Sequence, residues 1–202
     1  METVNILQTV NEIMYLYECY GNKDYIGEPV SQLEHMCQCA QLAAAAGVDD
    51  EVVLAAFFHD IGHLYEFAFP EKAVQHMDIM GVADHENLGA VYLSSKGFSE
   101  KIARLVQSHV PAKRYLTYSI PAYYEQLSEA SKKTLEYQGG RMTPQEAAAF
   151  EADDLFELFV LLRRCDDQAK LVGKPLPDLF QYKQLMIAHL SQNENNNKPK
   201  GV

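Results

Sequence analysis

Ala55-Ala-Phe-Phe-His-Asp-Ile-Gly-His63 closes an apolar run that starts at Val52 and sets three polar, ligand-type side chains at its end. Val52, Val53, Ala56 and Phe57 fall roughly on one helical face, which predicts a buried helix. His63 follows His59 one turn later. A His-Asp pair inside a buried helix is costly unless it is paired or bound to metal. Working outward from this pair, His35, His85 and His109 also sit on predicted helices. The four histidines are 24, 26 and 24 residues apart. That spacing suits successive helix-loop-helix returns, so four helices can bring imidazoles to one point, as in the metal sites of helical bundles. Asp60 adds a carboxylate from the central helix and Asp166 another from a late helix. Mixed imidazole and carboxylate donors suit iron, manganese or zinc rather than calcium or magnesium. Four histidines and two aspartates exceed what one tetrahedral ion takes, and fit two ions sharing a carboxylate bridge.

The remaining elements follow from periodicity and caps. Residues 2–20 read as an amphipathic helix carrying Ile6, Val10, Ile13, Met14 and Tyr17, stopped by Gly21-Asn22. Asp24 to Glu28 read as a loop, with Pro29 in the first turn of a helix that runs to Ala46. Asp49 or Asp50 caps the central helix. Leu64 to Pro70 reads as an aromatic-rich loop. Asp84 opens a helix ending at Gly97, and Ser99 caps the one bearing His109. Pro121 opens a short helix, and Ser131 to Gly140 mixes polar and turn residues. Thr143-Pro144-Gln145-Glu146 is a capping box. Helices follow over about 153–171 and 179–190. The expectation is an all-α single domain over 1–192, with residues 193–202 a disordered tail.

Composition narrows the class. The 202 residues carry a formal charge of −11 and are 48% hydrophobic. So acidic a chain argues against a nucleic-acid surface but not against an anionic small substrate, which feels the local field of its pocket. Cys19, Cys37, Cys39 and Cys165 show neither zinc nor redox spacing and read as reduced core thiols of a cytoplasmic protein. No apolar run approaches the ~20 residues of a membrane span. Oligomeric state is not legible.

His35, His59-Asp60 and the distant Asp166 resemble the pattern of the HD-domain superfamily, helical bundles that are mostly metal-dependent phosphohydrolases. With His85 and His109 added, the chain is similar to the mixed-valence di-iron oxygenases that cleave carbon–phosphorus bonds of hydroxyphosphonates, the PhnZ-like and TmpB-like enzymes. The match rests on Asp24-Tyr-Ile-Gly-Glu28, Gln32-Leu-Glu-His35, His59-Asp-Ile-Gly-His63, His109-Val-Pro-Ala-Lys-Arg-Tyr115 and Ser131-Lys-Lys-Thr-Leu-Glu-Tyr-Gln-Gly-Gly140. It covers about 22 to 190.

The resemblance implies an HD-type bundle with a di-metal core. One iron is held by His35, His59, Asp60 and Asp166, and a second by Asp60, His85 and His109, as an Fe2+/Fe3+ pair with O2 as co-substrate. It implies that a small organophosphonate displaces Tyr25 and is oxidised at carbon 1. Ser131, Thr134, Lys113, His63 and Arg163 are then expected to cradle the phosphonate. Glu28 is expected at the other end of the substrate, where Tyr65, Phe67 and Phe69 could form a box for a quaternary ammonium. That box favours 1-hydroxy-2-(trimethylammonio)ethylphosphonate, giving glycine betaine and phosphate. The alternatives are the primary amine 2-amino-1-hydroxyethylphosphonate, giving glycine and phosphate, an HD phosphohydrolase, and a non-catalytic binding module.

Overall fold

The computed structural model describes residues 5–25, 27–69, 75–78 and 81–197. Among them there are eleven helices and no strand, only isolated bridges at Asp24–Ser31 and His76–Val82. The all-α expectation holds. The helices are α1 Ile6–Tyr20, α2 Gln32–Ala45, α3 Asp50–Phe58, α4 Ile61–Ala68, α5 His85–Ser95, α6 Glu100–Ser119, α7 Tyr123–Gln126, α8 Glu129–Tyr137, α9 Pro144–Glu151, α10 Phe156–Gln168 and α11 Phe180–Asn197. No described helix is long and apolar enough to cross a membrane.

Helix α3 is the buried centre. Asp49 caps it by accepting from the amides of Glu51 and Val52, and every residue from Val52 to Phe58 is buried. The apolar surface wraps the whole helix because neighbours cover all its sides. Helices α2, α6, α10 and α11 all pack on it. Phe57 lies between Tyr17 and Tyr182, with ring centroids at 4.3 and 4.1 Å. Burying a ring of this size contributes about 1.5–3 kcal/mol.

The helix stops one residue short of the His-Asp pair, and the cause is local. The Phe57 carbonyl accepts from the Tyr17 hydroxyl at 2.8 Å, and the Ala56 carbonyl accepts from the His59 ring at 2.8 Å. Side-chain donors thus serve carbonyls that a continuing helix would have bonded. His59 and Asp60 form a turn, and α4 restarts at Ile61. The stretch 64–69 is therefore mostly helix rather than the expected loop, while Pro70 lies outside the described residues.

Gly62 lets α4 meet α5. A Cβ built there would stand 2.1 Å from the His85 carbonyl oxygen, which is backbone and cannot turn away. Gly62→Ala is expected to push α5 aside and cost about 1–3 kcal/mol. The readout is a lower thermal midpoint, and an unchanged midpoint refutes the contact.

Other boundaries differ from expectation for stated reasons. Ser31, not Pro29, starts α2 through a capping box with Glu34. Helix α6 runs unbroken through Pro111, so His109 and Lys113 lie one turn apart on one helix. Pro111 lacks the amide that would reach the carbonyl of residue 107, but the packed neighbours hold the helix. Ser128 caps α8 over a stretch expected to be irregular. Pro121 lies two residues before α7. The α10 limits are narrower than 153–171, and α11 continues past 192 to Asn197, leaving 198–202 outside the described residues. All four cysteines are free, but Cys19 is exposed rather than in the core.

Candidate metal centre and substrate cavity

The four histidines arrive from α2, the α3–α4 turn, α5 and α6, and all are buried. Each anchors its Nδ1 on a backbone carbonyl: His35 on Ala169 (3.0 Å), His59 on Ala56 (2.8 Å), His85 on Val82 (3.2 Å) and His109 on Val106 (2.8 Å). A carbonyl can only accept, so each Nδ1 carries a proton and each ring turns its Nε2 inward, as a lone pair where the ring is neutral. The Nε2 atoms then meet in pairs, His35 to His59 at 3.0 Å and His85 to His109 at 2.9 Å. Two lone pairs at that separation repel unless a cation lies among them.

Asp60 stands between the pairs. Its Oδ2 is 3.5 Å from His35 Nε2 and 3.4 Å from His59 Nε2. Its Oδ1 is 3.3 Å from His85 Nε2 and 3.5 Å from His109 Nε2. Asp166 Oδ1 joins the first pair, 3.3 Å from His35 Nε2. Asp60 Oδ2 and Asp166 Oδ1 are buried without a hydrogen-bond donor. Orphaned carboxylate oxygens and opposed imidazole lone pairs are what a metal site looks like from its donors. The side chains therefore fit two ions, one with two histidines and two aspartates, the other with two histidines and one carboxylate oxygen. That second set is the two-His-one-carboxylate arrangement associated with open-sided non-haem iron.

Electrostatics point the same way. Burial opposes charge on Asp60 and Asp166, yet His59 beside Asp60 and Arg163 beside Asp166 hold both carboxyls well below the usual range. Burial likewise opposes protonation of His59 and His85, but Asp60 raises both, while burial and His85 keep His109 low. The pocket wants positive charge, and either protons or metal ions can supply it.

A cavity of about 50 Å³ opens on the second donor set. Asp60, His85, His109 and Asp166 line it; His35 and His59 do not. The first ion position is thus shut behind the second. Of the other expected site residues, Tyr25, Glu28, His63, Lys113, Ser131, Thr134 and Arg163 all reach the cavity wall.

Tyr25 stacks on His35 with centroids 4.0 Å apart, and burial and the nearby Asp60 and Asp166 push its hydroxyl pKa well up, so it is a phenol. The loop that carries it is closed by Tyr25 N–H donating to the Val30 carbonyl (3.1 Å) and Glu28 N–H donating to the Tyr25 carbonyl (2.8 Å). Gly27 sits in this loop at φ +78, where a Cβ would meet Ala130 at 2.7 Å, so no other residue fits. His63 stacks on His85 at 4.0 Å and accepts from the Val82 amide on Nδ1 at 3.3 Å. Burial and His85 pull its pKa down to about 3, so it stays neutral with its proton on Nε2 as a donor. Lys113 donates to Thr134 Oγ1 at 2.9 Å, and burial and Arg163 lower its pKa to about 7.

Two expectations change. Arg163 donates to Asp166 Oδ2 at 2.8 Å, to Asp167, and to the Tyr123 hydroxyl at 3.1 Å. It orients Asp166, a candidate donor, as much as it faces the cavity, because residues three and four apart on α10 share a face. Tyr65, Phe67 and Phe69 do not line the cavity. For Tyr65 the reason is α4 itself, which rotates it about 200° from His63; Phe67 shares the His63 face but is taken up by other partners. Tyr65 packs on Phe69 and Tyr92, and Phe67 packs on Tyr20 and under Lys23. No aromatic box forms there.

Sequence reading missed Gln32, Met77 and Gln138, which also line the cavity, and Lys170, which pairs with Glu28. Gln32 and Gln138 each hold a buried amide oxygen without a donor. A glutamine at a helix start, like Gln32, or at a helix end, like Gln138, carries no periodic signal. Only the folded cavity picks these residues out.

Residues 33–156 match the family model of the HD domain. Three relatives extend the match over most of the chain. An uncharacterized protein of Acanthamoeba polyphaga mimivirus is 46% identical over 191 residues, covering 95% of this chain and 86% of that protein. The hydroxymethylphosphonate dioxygenase of Gimesia maris is 39% identical over 175 residues, covering 87% and 85%. The [1-hydroxy-2-(trimethylamino)ethyl]phosphonate dioxygenase (glycine-betaine-forming) of Leisingera caerulea is 35% identical over 178 residues, covering 88% and 87%. The chain belongs to the HD-domain family, in the same group as these phosphonate dioxygenases.

Proposed function

We propose that this chain is a di-iron oxygenase that cleaves the carbon–phosphorus bond of a small 1-hydroxyphosphonate with dioxygen. The single observation that carries the reading is the second donor set, Asp60 Oδ1, His85 and His109, open to a cavity lined by cations and hydrogen-bond donors. Two-His-one-carboxylate donors favour iron with free positions. The relatives' names favour a phosphonate. The overall reaction balances: R–CH(OH)–PO3²⁻ and O2 give R–COO⁻, HPO4²⁻ and H⁺.

A mixed-valence iron pair, held by His35, His59, Asp60 and Asp166 on one side and Asp60, His85 and His109 on the other, would supply oxygen activation and redox capacity. The protein's own groups bind and orient. Lys113 in its ammonium form offers charge to the phosphonate, with hydroxyls of Ser131 and Thr134 and the Nε2–H of neutral His63 beside it. Arg163 fixes Asp166 and adds positive charge at the same wall. Tyr25, whose phenol lies over His35 at the cavity wall, is by the family resemblance the group that moves aside as substrate enters. Lys113, Ser131 and Arg163 are buried, which keeps bulk water from them and strengthens their contacts.

The rings expected to cage a trimethylammonium group pack elsewhere, so they give that substrate no support. Phosphate release from a 1-hydroxyphosphonate is expected to require O2, with one O2 consumed per phosphate. The check is phosphate assay alongside oxygen uptake, in air and under strict anaerobiosis. An equal rate without oxygen would hand the site to the phosphohydrolase reading, in which the ions activate water.

A further inference from the structure

We propose that Lys170 sets which charge this cavity accepts on the substituent at carbon 1 of the substrate, by neutralising Glu28. The inference rests on the hydroxyphosphonate reading above and deepens it.

Glu28 lines the cavity, with its side chain 8% exposed. A carboxylate at that depth is by itself a receptor for an ammonium group. Here the position is already taken. Lys170 Nζ donates to Glu28 Oε1 at 2.5 Å, and the Ser128 hydroxyl donates to the same oxygen. The same ammonium is 3.5 Å from Ser131 Oγ and 5.9 Å from the centre of the Tyr25 ring. Lys170 follows Ala169, whose carbonyl anchors His35, so the backbone that carries it is tied to the metal centre. The ammonium therefore stands behind three residues of the cavity wall without itself lining it.

Two consequences follow. A cationic substituent on the substrate meets a neutral Glu28–Lys170 pair, and Lys170 repels it. To use Glu28 it must expel Lys170 from a part-buried pair, and breaking a pair that is largely out of water is costly. The pair thus favours a substrate that is small and uncharged beyond carbon 1, of the hydroxymethylphosphonate kind. Removing Lys170 reverses this: Glu28 becomes an uncompensated buried anion that an ammonium on the ligand can satisfy.

The test uses the metal-loaded full chain and two phosphonates that lack the 1-hydroxyl, methylphosphonate and 2-aminoethylphosphonate, with dissociation constants from titration calorimetry. The wild type is expected to bind methylphosphonate at least as tightly as 2-aminoethylphosphonate. Lys170→Met is expected to shift the ratio toward 2-aminoethylphosphonate by about tenfold or more, one charge-assisted contact's worth. Lys170→Arg is expected to keep the wild-type ratio, and the Glu28→Gln/Lys170→Met double variant to lose the shift. A purely structural role would move both ligands together and show no rescue. An unchanged ratio in Lys170→Met, a wild-type preference for 2-aminoethylphosphonate, or an equal loss of both ligands (Lys170 then serving the phosphonate end through Ser131) overturns the inference. Binding of neither phosphonate to the wild type overturns the hydroxyphosphonate reading itself, and this inference with it.

Discussion

Asp60→Asn is expected to strip the metal centre and abolish turnover. Asp60 offers one oxygen to each donor set, at 3.3–3.5 Å from the four Nε2 atoms. An asparagine puts an amide NH2, which cannot ligate, on one side whichever way it lies, and removes the negative charge from both. Metal analysis should fall from two ions per chain to one or none. Phosphate release should drop by about a thousandfold or more, the upper range for loss of one charge-stabilising group, because here the whole centre goes. His85→Ala is the graded comparison. It should lose the outer ion and keep the inner one, whose donors His35, His59 and Asp166 are untouched. Two ions per chain in Asp60→Asn would show that the carboxylate is no bridge.

Lys113→Met is expected to weaken substrate binding by roughly 2–5 kcal/mol while metal content stays at the wild-type level. Lys113 is buried, and its hydrogen bond to Thr134 leaves ammonium protons for a dianion. Its pKa of about 7, set by burial and then by Arg163, gives the pH dependence a definite sign. The protonated form binds the anion, and the proton is lost as pH rises through about 7. The kcat/KM of the wild type should therefore fall on the alkaline side, about tenfold per pH unit beyond that pKa. The limb in kcat should lie higher, since a bound dianion favours the ammonium. In Lys113→Met the alkaline limb of kcat/KM should vanish. Its persistence would assign the limb to another group.

The meeting of the candidate donors was legible in the chain because four histidines are spaced as successive helical returns. His35, His59, His85 and His109 recur at 24 to 26 residues, and Asp60 and Asp166 complete them. Periodicity carries such information since it reports which side of a helix faces inward. What periodicity could not carry is where helices stop. The break at His59–Asp60 depends on the Tyr17 hydroxyl reaching the Phe57 carbonyl from 40 positions away. Without that contact in view, Leu64 to Phe69 looks like an aromatic loop at the cavity. With it, the segment is a helix that turns Tyr65 into the core. Lys170 was invisible for the same reason, since its partner Glu28 is 142 positions distant. Long-range pairs decide the substrate end of the cavity, and local pattern says little about them.

The opposed lone pairs of His35 and His59, and of His85 and His109, have a consequence for how much folded protein exists. Their Nδ1 atoms are tied to backbone carbonyls, so the rings cannot swing apart to relieve the repulsion unless those bonds break. Protons that Asp60 draws onto His59 and His85 relieve it, and metal ions binding the native donor sets would take their place. Free metal at a hundredfold excess over its dissociation constant adds about 2.7 kcal/mol per site to the stability of the native state. Against the marginal stability of a domain this size, that is a large share. On the proposed metal reading, metal supply would then govern the folded population and its survival against proteolysis, besides the rate of turnover.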